Sequence, residues 1–121
     1  PGLPDSDVAA VYRGASACVL PSFVESFGLP ALEAMACGLP VVVSNTGALP
    51  EICGEAAIYV DPADINQLAD ALYQVITDVK LRVNLIERSL QRAREFSWDA
   101  AAAKHLSIFQ KVANEVLHRT K

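Results

Sequence analysis

Between Gly14 and Val79 the chain has no lysine or arginine, while Glu25, Glu33, Glu51, Glu55, Asp61, Asp64, Asp70 and Asp78 all fall there. Over its 121 residues, ten Lys and Arg stand against fourteen Asp and Glu, a net charge of −4. A nucleic-acid binder or a polybasic membrane-surface protein needs a basic footprint, so the charge balance argues against both classes. Long hydrophobic runs are missing too. Uncharged runs such as Gly14 to Val24 are broken by proline and by serine, and they are too short to cross a bilayer. No transmembrane helix is expected. The opening residues carry no basic-then-apolar leader, so no signal peptide is read from them. Cysteine is scarce: Cys18, Cys37 and Cys53 form no C-x-x-C pair and have no histidine at ligand spacing. Each stands among apolar neighbours, which points to reduced, mostly buried thiols in a cytoplasmic protein and not to a disulfide or metal site.

What remains is an apolar chain, 52% hydrophobic, with room for one domain. Asp5 or Ser6 reads as an N-cap, followed by a helix over Asp7–Ala15 with Val8, Val11 and Tyr12 on one face. Ala17–Leu20 reads as a buried strand, and Pro30 to Cys37 as a helix with Gly38 just past its end. Pro40–Ser44 and Ala57–Val60 are two further strands, with a helical turn over Leu49–Cys53 between them. Asp64 and Gln67 stand at capping-box spacing ahead of a helix over Asp64–Thr77, with stripe Ile65, Leu68, Leu72, Val75 and Ile76. A helix over Asp78–Glu95 carries Val79, Val83, Ile86, Leu90 and Ala93. A last one, about residues 97–117, carries Ala102, Leu106, Phe109, Ala113 and Val116. Trp98 and Phe109 are expected in the core. Arg82, Arg88, Arg92 and Arg94 are expected on a wet helix face, a peripheral contact with anionic lipid being the lesser reading.

Strands alternating with helices predict an α/β fold: a partial Rossmann-like domain of about three parallel strands with flanking helices. Three strands are few for such a sheet, and the last two helices carry more apolar surface than three short strands can cover. The domain is therefore expected to be truncated at its N-terminal side. The open edge at Ala17–Leu20 then predicts self-association.

The segment Pro21 to Ala36 carries the chemistry. In open parallel sheets ligands bind outside the carboxyl ends of the strands, which is where Glu25 falls. Gly28 lets the backbone approach a ligand closely. The N–H groups of Leu29, Ala31 and Leu32, at the start of the next helix, suit a phosphate. Glu33 is expected on the first turn, within reach of a polyol. The spacing of Glu25 and Glu33 does not exclude a glycosidase-like acid/base pair, but nothing supports one. Two carboxylates that accept hydrogen bonds from vicinal hydroxyls are the better reading.

Glu25-Ser26-Phe27-Gly28 followed by Glu33-Ala34-Met35-Ala36 resembles the Glu-x7-Glu motif of the retaining nucleotide-sugar glycosyltransferases of family 4, which have the two-Rossmann (GT-B) fold. Leu3-Pro4-Asp5 with Val11 to Ala15, Gly38 to Val42, Gly47 to Ile52 and Phe96 to Asp99 resemble the family's flanking segments in the same order. The resemblance implies that residues 1–121 are the C-terminal half of a donor-binding Rossmann domain. It implies that Glu25 bonds hydroxyls of the donor hexose, positioning and stabilising it. The backbone N–H groups of Phe27 and Gly28 would lie near sugar and phosphates, Leu29 would add an N–H to the diphosphate, and Glu33 would hold the ribose. Transfer would retain anomeric configuration, without a metal or other cofactor. The donor would be a nucleotide sugar such as UDP-glucose, GDP-mannose or ADP-glucose, and the acceptor a sugar or lipid-linked sugar on a separate N-terminal domain. Gly47-Ala48 departs from the Gly-Gly the family often has. The family's basic diphosphate site, contributed by earlier strands, has no counterpart in this sequence, so weak donor binding and no catalysis are expected of the chain alone. The alternative is a non-catalytic nucleotide-sugar-binding or scaffold module of the same fold. Ser22, Ser44, Thr46, Glu51, His105 and His118 are read as structural or solvated residues.

Overall fold

The computed structural model describes residues 2–119, with side chains as far as Glu115. Its elements are α1 (Asp5–Gly14), β1 (Cys18–Leu20), α2 (Leu29–Ala36), β2 (Val41–Ser44), α3 (Leu49–Cys53), a 3-10 turn (Gly54–Ala56), β3 (Ala57–Val60), α4 (Ile65–Thr77), α5 (Val79–Ala93) and α6 (Trp98–Arg119). The strands form one parallel sheet in the order β1-β2-β3. Val41 stands beside Cys18 on one side and Ala57 on the other.

β2 is buried along its whole length because both of its faces are covered. Side chains alternate across a strand, so Val41 and Val43 face one layer and Val42 the other. The first layer is built from Ala31, Ala34 and Met35 of α2 with Leu49, Ile52 and Cys53 of α3. The second contains Ala71 and Val75 of α4 with Leu85 of α5. α5 crosses between them, placing Leu81 and Leu85 in the second layer and Ala93 in the first. The second layer covers β2 and β3 more fully than β1, where Val19 stays partly exposed.

Local chemistry sets the helix ends. The Asp64 carboxylate accepts from the N–H groups of Asn66 and Gln67, both at 3.0 Å, and that of Asp78 accepts from Leu81 at 3.0 Å. The capping box at Asp64 is not reciprocal, because Gln67 Oε1 instead accepts from the Asp61 N–H. α1 opens at Asp5 and not Asp7: Pro4 takes the N-cap position, and its carbonyl accepts from Asp7 and Val8 at 2.9 and 3.1 Å.

Three helix faces differ from the pattern of the sequence. On α4, Ile65 and Ile76 turn to solvent. On α5 the fully buried residues are Leu85 and Ser89, whereas Val79, Val83 and Leu90 are exposed. Ser89 can take a core position because its hydroxyl donates to the Ala56 carbonyl at 3.3 Å. On α6, Trp98 is 85% and Phe109 67% exposed, so neither is a core residue among the described contacts. Leu106, Ile108 and Val112 are exposed with them. Helical spacing shows that one face is apolar; it does not say what covers that face. Val116 and His118 lie outside the described side chains.

Candidate functional site

β1 and β2 end side by side, and the loops beyond them are stitched together by hydroxyls. Ser44 Oγ and Thr46 Oγ1 both donate to the Ser22 carbonyl, at 2.6 and 3.0 Å, and lie 3.2 Å from each other. Further along, the Ala48 N–H donates to the Glu25 carbonyl at 3.1 Å. Gly47, at φ 60°, permits this approach: a Cβ there would lie 2.4 Å from the Glu25 carbonyl oxygen. Gly28 turns the chain into α2 at φ 93°, over the Leu49 side chain.

This turn aims successive N–H groups at one point, a concavity suited to an anion. The anion there is the loop's own. Glu25 Oε1 accepts from Ser26, Phe27 and Gly28 N–H at 3.1, 3.4 and 3.2 Å. The Phe27 and Gly28 N–H groups expected to face a ligand thus hold Glu25 in this state. Its second oxygen, Oε2, has no partner among the described residues. Glu25 is thereby pinned at one oxygen and open at the other.

α2 begins at Leu29, one residue earlier than its proline suggests, so Glu33 sits on the second turn and not the first. The Ala31 and Leu32 N–H groups are not free. Both donate to the Gly28 carbonyl, at 3.0 and 3.1 Å. Of the three helix-start donors expected, only that of Leu29 lacks a partner among the described residues. Glu33 is exposed, but its Oε2 accepts from the Tyr12 hydroxyl at 3.1 Å. Burial, and after it the hydrogen bond and charge of Glu33, pushes Tyr12 up to about 12. Tyr12 thus stays a proton donor to Glu33 at neutral pH. Its sequence signal was an apolar stripe on α1, and nothing in the spacing pointed to a residue 21 positions away.

Phe27, Leu29 and Glu33 are exposed, and Glu25 is half-buried. A cavity of about 440 Å³ bounded in part by Tyr12, Arg13, Cys37, Pro40 and Arg82 shares Tyr12 with the site and otherwise lies beside the segments that lead into β1 and β2. Among the described residues no cluster of His, Cys, Asp and Glu could hold a metal ion. The cysteines are free; burial pushes the Cys53 thiol up to about 11, against a smaller opposing effect of Arg92, and raises Cys18 as well. Ser44 and Thr46 serve the loop junction, and His105 Nδ1 is bonded to the Ala101 carbonyl at 2.8 Å.

Residues 1–92 match the family model for glycosyl transferases group 1. The chain belongs to this family. Its relatives include O-antigen chain mannosyltransferase B of Escherichia coli, 39% identical over 108 residues, which is 89% of this chain and 28% of that protein. A D-inositol 3-phosphate glycosyltransferase of Corynebacterium glutamicum is 42% identical over 93% of this chain and 28% of its own length. Among solved structures, sucrose-phosphate synthase from Thermosynechococcus elongatus superposes with a TM-score of 0.80 at 35% identity, over 95% of this chain and 30% of that one. The C-terminal domain of a group 1 family glycosyl transferase from Francisella tularensis gives 0.68 at 34% identity, over 78% of this chain and 51% of that one. The chain therefore spans about 28% of the curated relatives it matches, and its fold is the Rossmann-like architecture of these glycosyltransferases. No helix among the described residues is long and apolar enough to cross a membrane.

Proposed function

We propose that this chain is the C-terminal half of the donor-binding domain of a retaining glycosyltransferase, which transfers a hexose from a nucleotide diphosphate sugar to an acceptor. The observation that carries the reading is the state of Glu25. It stands at the carboxyl end of β1 with Oε1 fixed by three N–H groups and Oε2 open. A carboxylate so held suits a hydrogen bond from a sugar hydroxyl, and it positions and stabilises the hexose. Leu29 offers its N–H to the diphosphate without displacing anything. A donor oxygen that reached the Phe27 or Gly28 N–H would have to replace Oε1. Glu33, steadied by Tyr12, accepts from the ribose hydroxyls.

The chemistry needs no metal or cofactor from this segment, but it does need positive charge. The stretch from Gly14 to Val79 has eight carboxylates and no Lys or Arg. A diphosphate adds about two negative charges, and a helix N-terminus supplies only about half a positive one. The cationic partners of the diphosphate and the acceptor site are assigned to other parts of the whole protein. The isolated chain then binds donor weakly and does not catalyse.

The test is an amide-resolved NMR titration of the chain with UDP-glucose, GDP-mannose and ADP-glucose. GDP-mannose belongs in the set because two similar proteins are mannosyltransferases. Shifts at Phe27, Gly28, Leu29 and Glu33 with one donor, abolished by Glu33→Ala, are the expected result. A whole protein that shows no shift with any donor would overturn the reading and leave a module that uses this fold without a donor.

A further inference from the structure

We infer that Phe96, held in place by Arg92, is a positioning residue that sets the Glu25 loop for the donor. This rests on the donor-site reading above. Phe27, the middle N–H donor to Glu25, is 41% exposed. An exposed phenylalanine on a short irregular loop has little to keep it in one place. Here its ring meets that of Phe96 edge to face, with centroids 6.4 Å apart and planes at 88°. That is a favoured aromatic geometry, in which the edge of one ring meets the face of the other. Phe96 lies just beyond α5 and is packed against the first core layer, so it is anchored where Phe27 is not.

Phe96 is itself oriented by Arg92, whose guanidinium carbon stands 4.9 Å from its ring centre. The same guanidinium donates through Nε to the Ile52 carbonyl at 3.0 Å and through Nη2 to the Glu51 carbonyl at 2.6 Å. Its Nη1 pairs with Glu95. These are carbonyls of α3, a short helix whose last acceptors would otherwise lack partners. α3 also carries Leu49, on which Gly28 rests. The two residues that follow Ser26 in the Glu25 loop are thus supported by elements that Arg92 joins: Phe27 through Phe96, and Gly28 through α3. Neither Arg92 nor Phe96 belongs to the donor-contact residues proposed above. Both act through the loop.

The experiment uses the 121-residue chain and the variants Phe96→Leu, Phe96→Tyr and Phe27→Leu. Without donor, Phe96→Leu is expected to speed exchange with water at the Ser26, Phe27 and Gly28 amides by about threefold to tenfold, the range one aromatic pair supports. The amides of β2 and β3 should be unaffected. The mutual ring-current shift of the Phe27 and Phe96 ring protons should vanish, and Phe96→Tyr should restore both signals. With the donor that binds the parent chain, Kd should rise by the same factor in Phe96→Leu and return in Phe96→Tyr. Loop amides that exchange at the parent rate in a folded Phe96→Leu chain would overturn the inference. If Phe96→Leu does not fold, Phe27→Leu removes the same ring pair from the solvent side, and loop exchange unchanged in that variant overturns it equally. The exchange and ring-current results do not depend on donor. A parent chain that binds none would therefore leave the brace standing, while a whole protein that binds none would count against the donor-site reading.

Discussion

Gly47 lies in a loop distinct from the one that carries Glu25, yet the two loops share one backbone contact. Any side chain at 47 would drive a Cβ to 2.4 Å from the Glu25 carbonyl oxygen and would also have to adopt φ 60°. Gly47→Ala is therefore expected to cost about 1–3 kcal/mol in urea unfolding and to shift the Glu25 and Ala48 amides most. Tyr12→Phe should behave in the opposite way, with little loss of stability because Glu33 is exposed, but a donor Kd raised about fewfold by a less ordered carboxylate. Tyrosine also makes an alkaline signature. Burial first, and then Glu33, holds Tyr12 at about 12; burial first, and then Cys53, holds Tyr59 at about 12. An unfolded tyrosine titrates near about 10. The folded state keeps its protons longer, so this contribution is whole below pH 10 and is lost as pH rises to 12. Denaturation midpoints should fall across that window, and less so in Tyr12→Phe.

The helices show how far a sequence pattern reaches. β3 and α3 have the boundaries that the pattern predicts, because turn residues and prolines punctuate short apolar runs. Asp64 was legible as a cap, and Asp64→Ala is expected to cost about 1 kcal/mol of stability in urea unfolding, with Asp64→Asn close to the parent. α5 was less legible. Its inner face includes Ser89 and Arg92, polar residues that hydrophobic periodicity assigns to solvent but whose hydrogen bonds to Ala56, Ile52 and Glu51 carbonyls draw them inward. In the site, the places of Glu25 and Gly28 were legible from strand end and helix start. The loop's use of its own carboxylate was not, since it depends on the direction of three N–H groups. Nor was the Tyr12–Glu33 bond, which joins two elements through folding alone.

At the scale of the molecule, apolar surface and charge are both unbalanced. β1 has a partner on one side among the described residues, Val19 is only partly covered, and Leu106, Ile108, Phe109 and Val112 of α6 are exposed. A chain with these features should associate with itself. Sedimentation is expected to show a mean mass that rises with concentration, and a strictly monomeric species at high concentration would contradict this. The acidic stretch makes a second demand. Donor binding by the isolated chain should strengthen as salt is added, because screening weakens the repulsion between donor and carboxylates.

The bond between Glu25 and its own loop has a thermodynamic consequence. Short surface loops lose conformational entropy when a ligand orders them, and that loss weakens binding. Here the three N–H groups already converge on one carboxylate oxygen before any donor arrives. Much of the ordering belongs to the folding of the chain, so little of it is left to oppose association. Calorimetry of donor binding should accordingly show only a small unfavourable entropy from this loop, and Glu25→Ala should enlarge it.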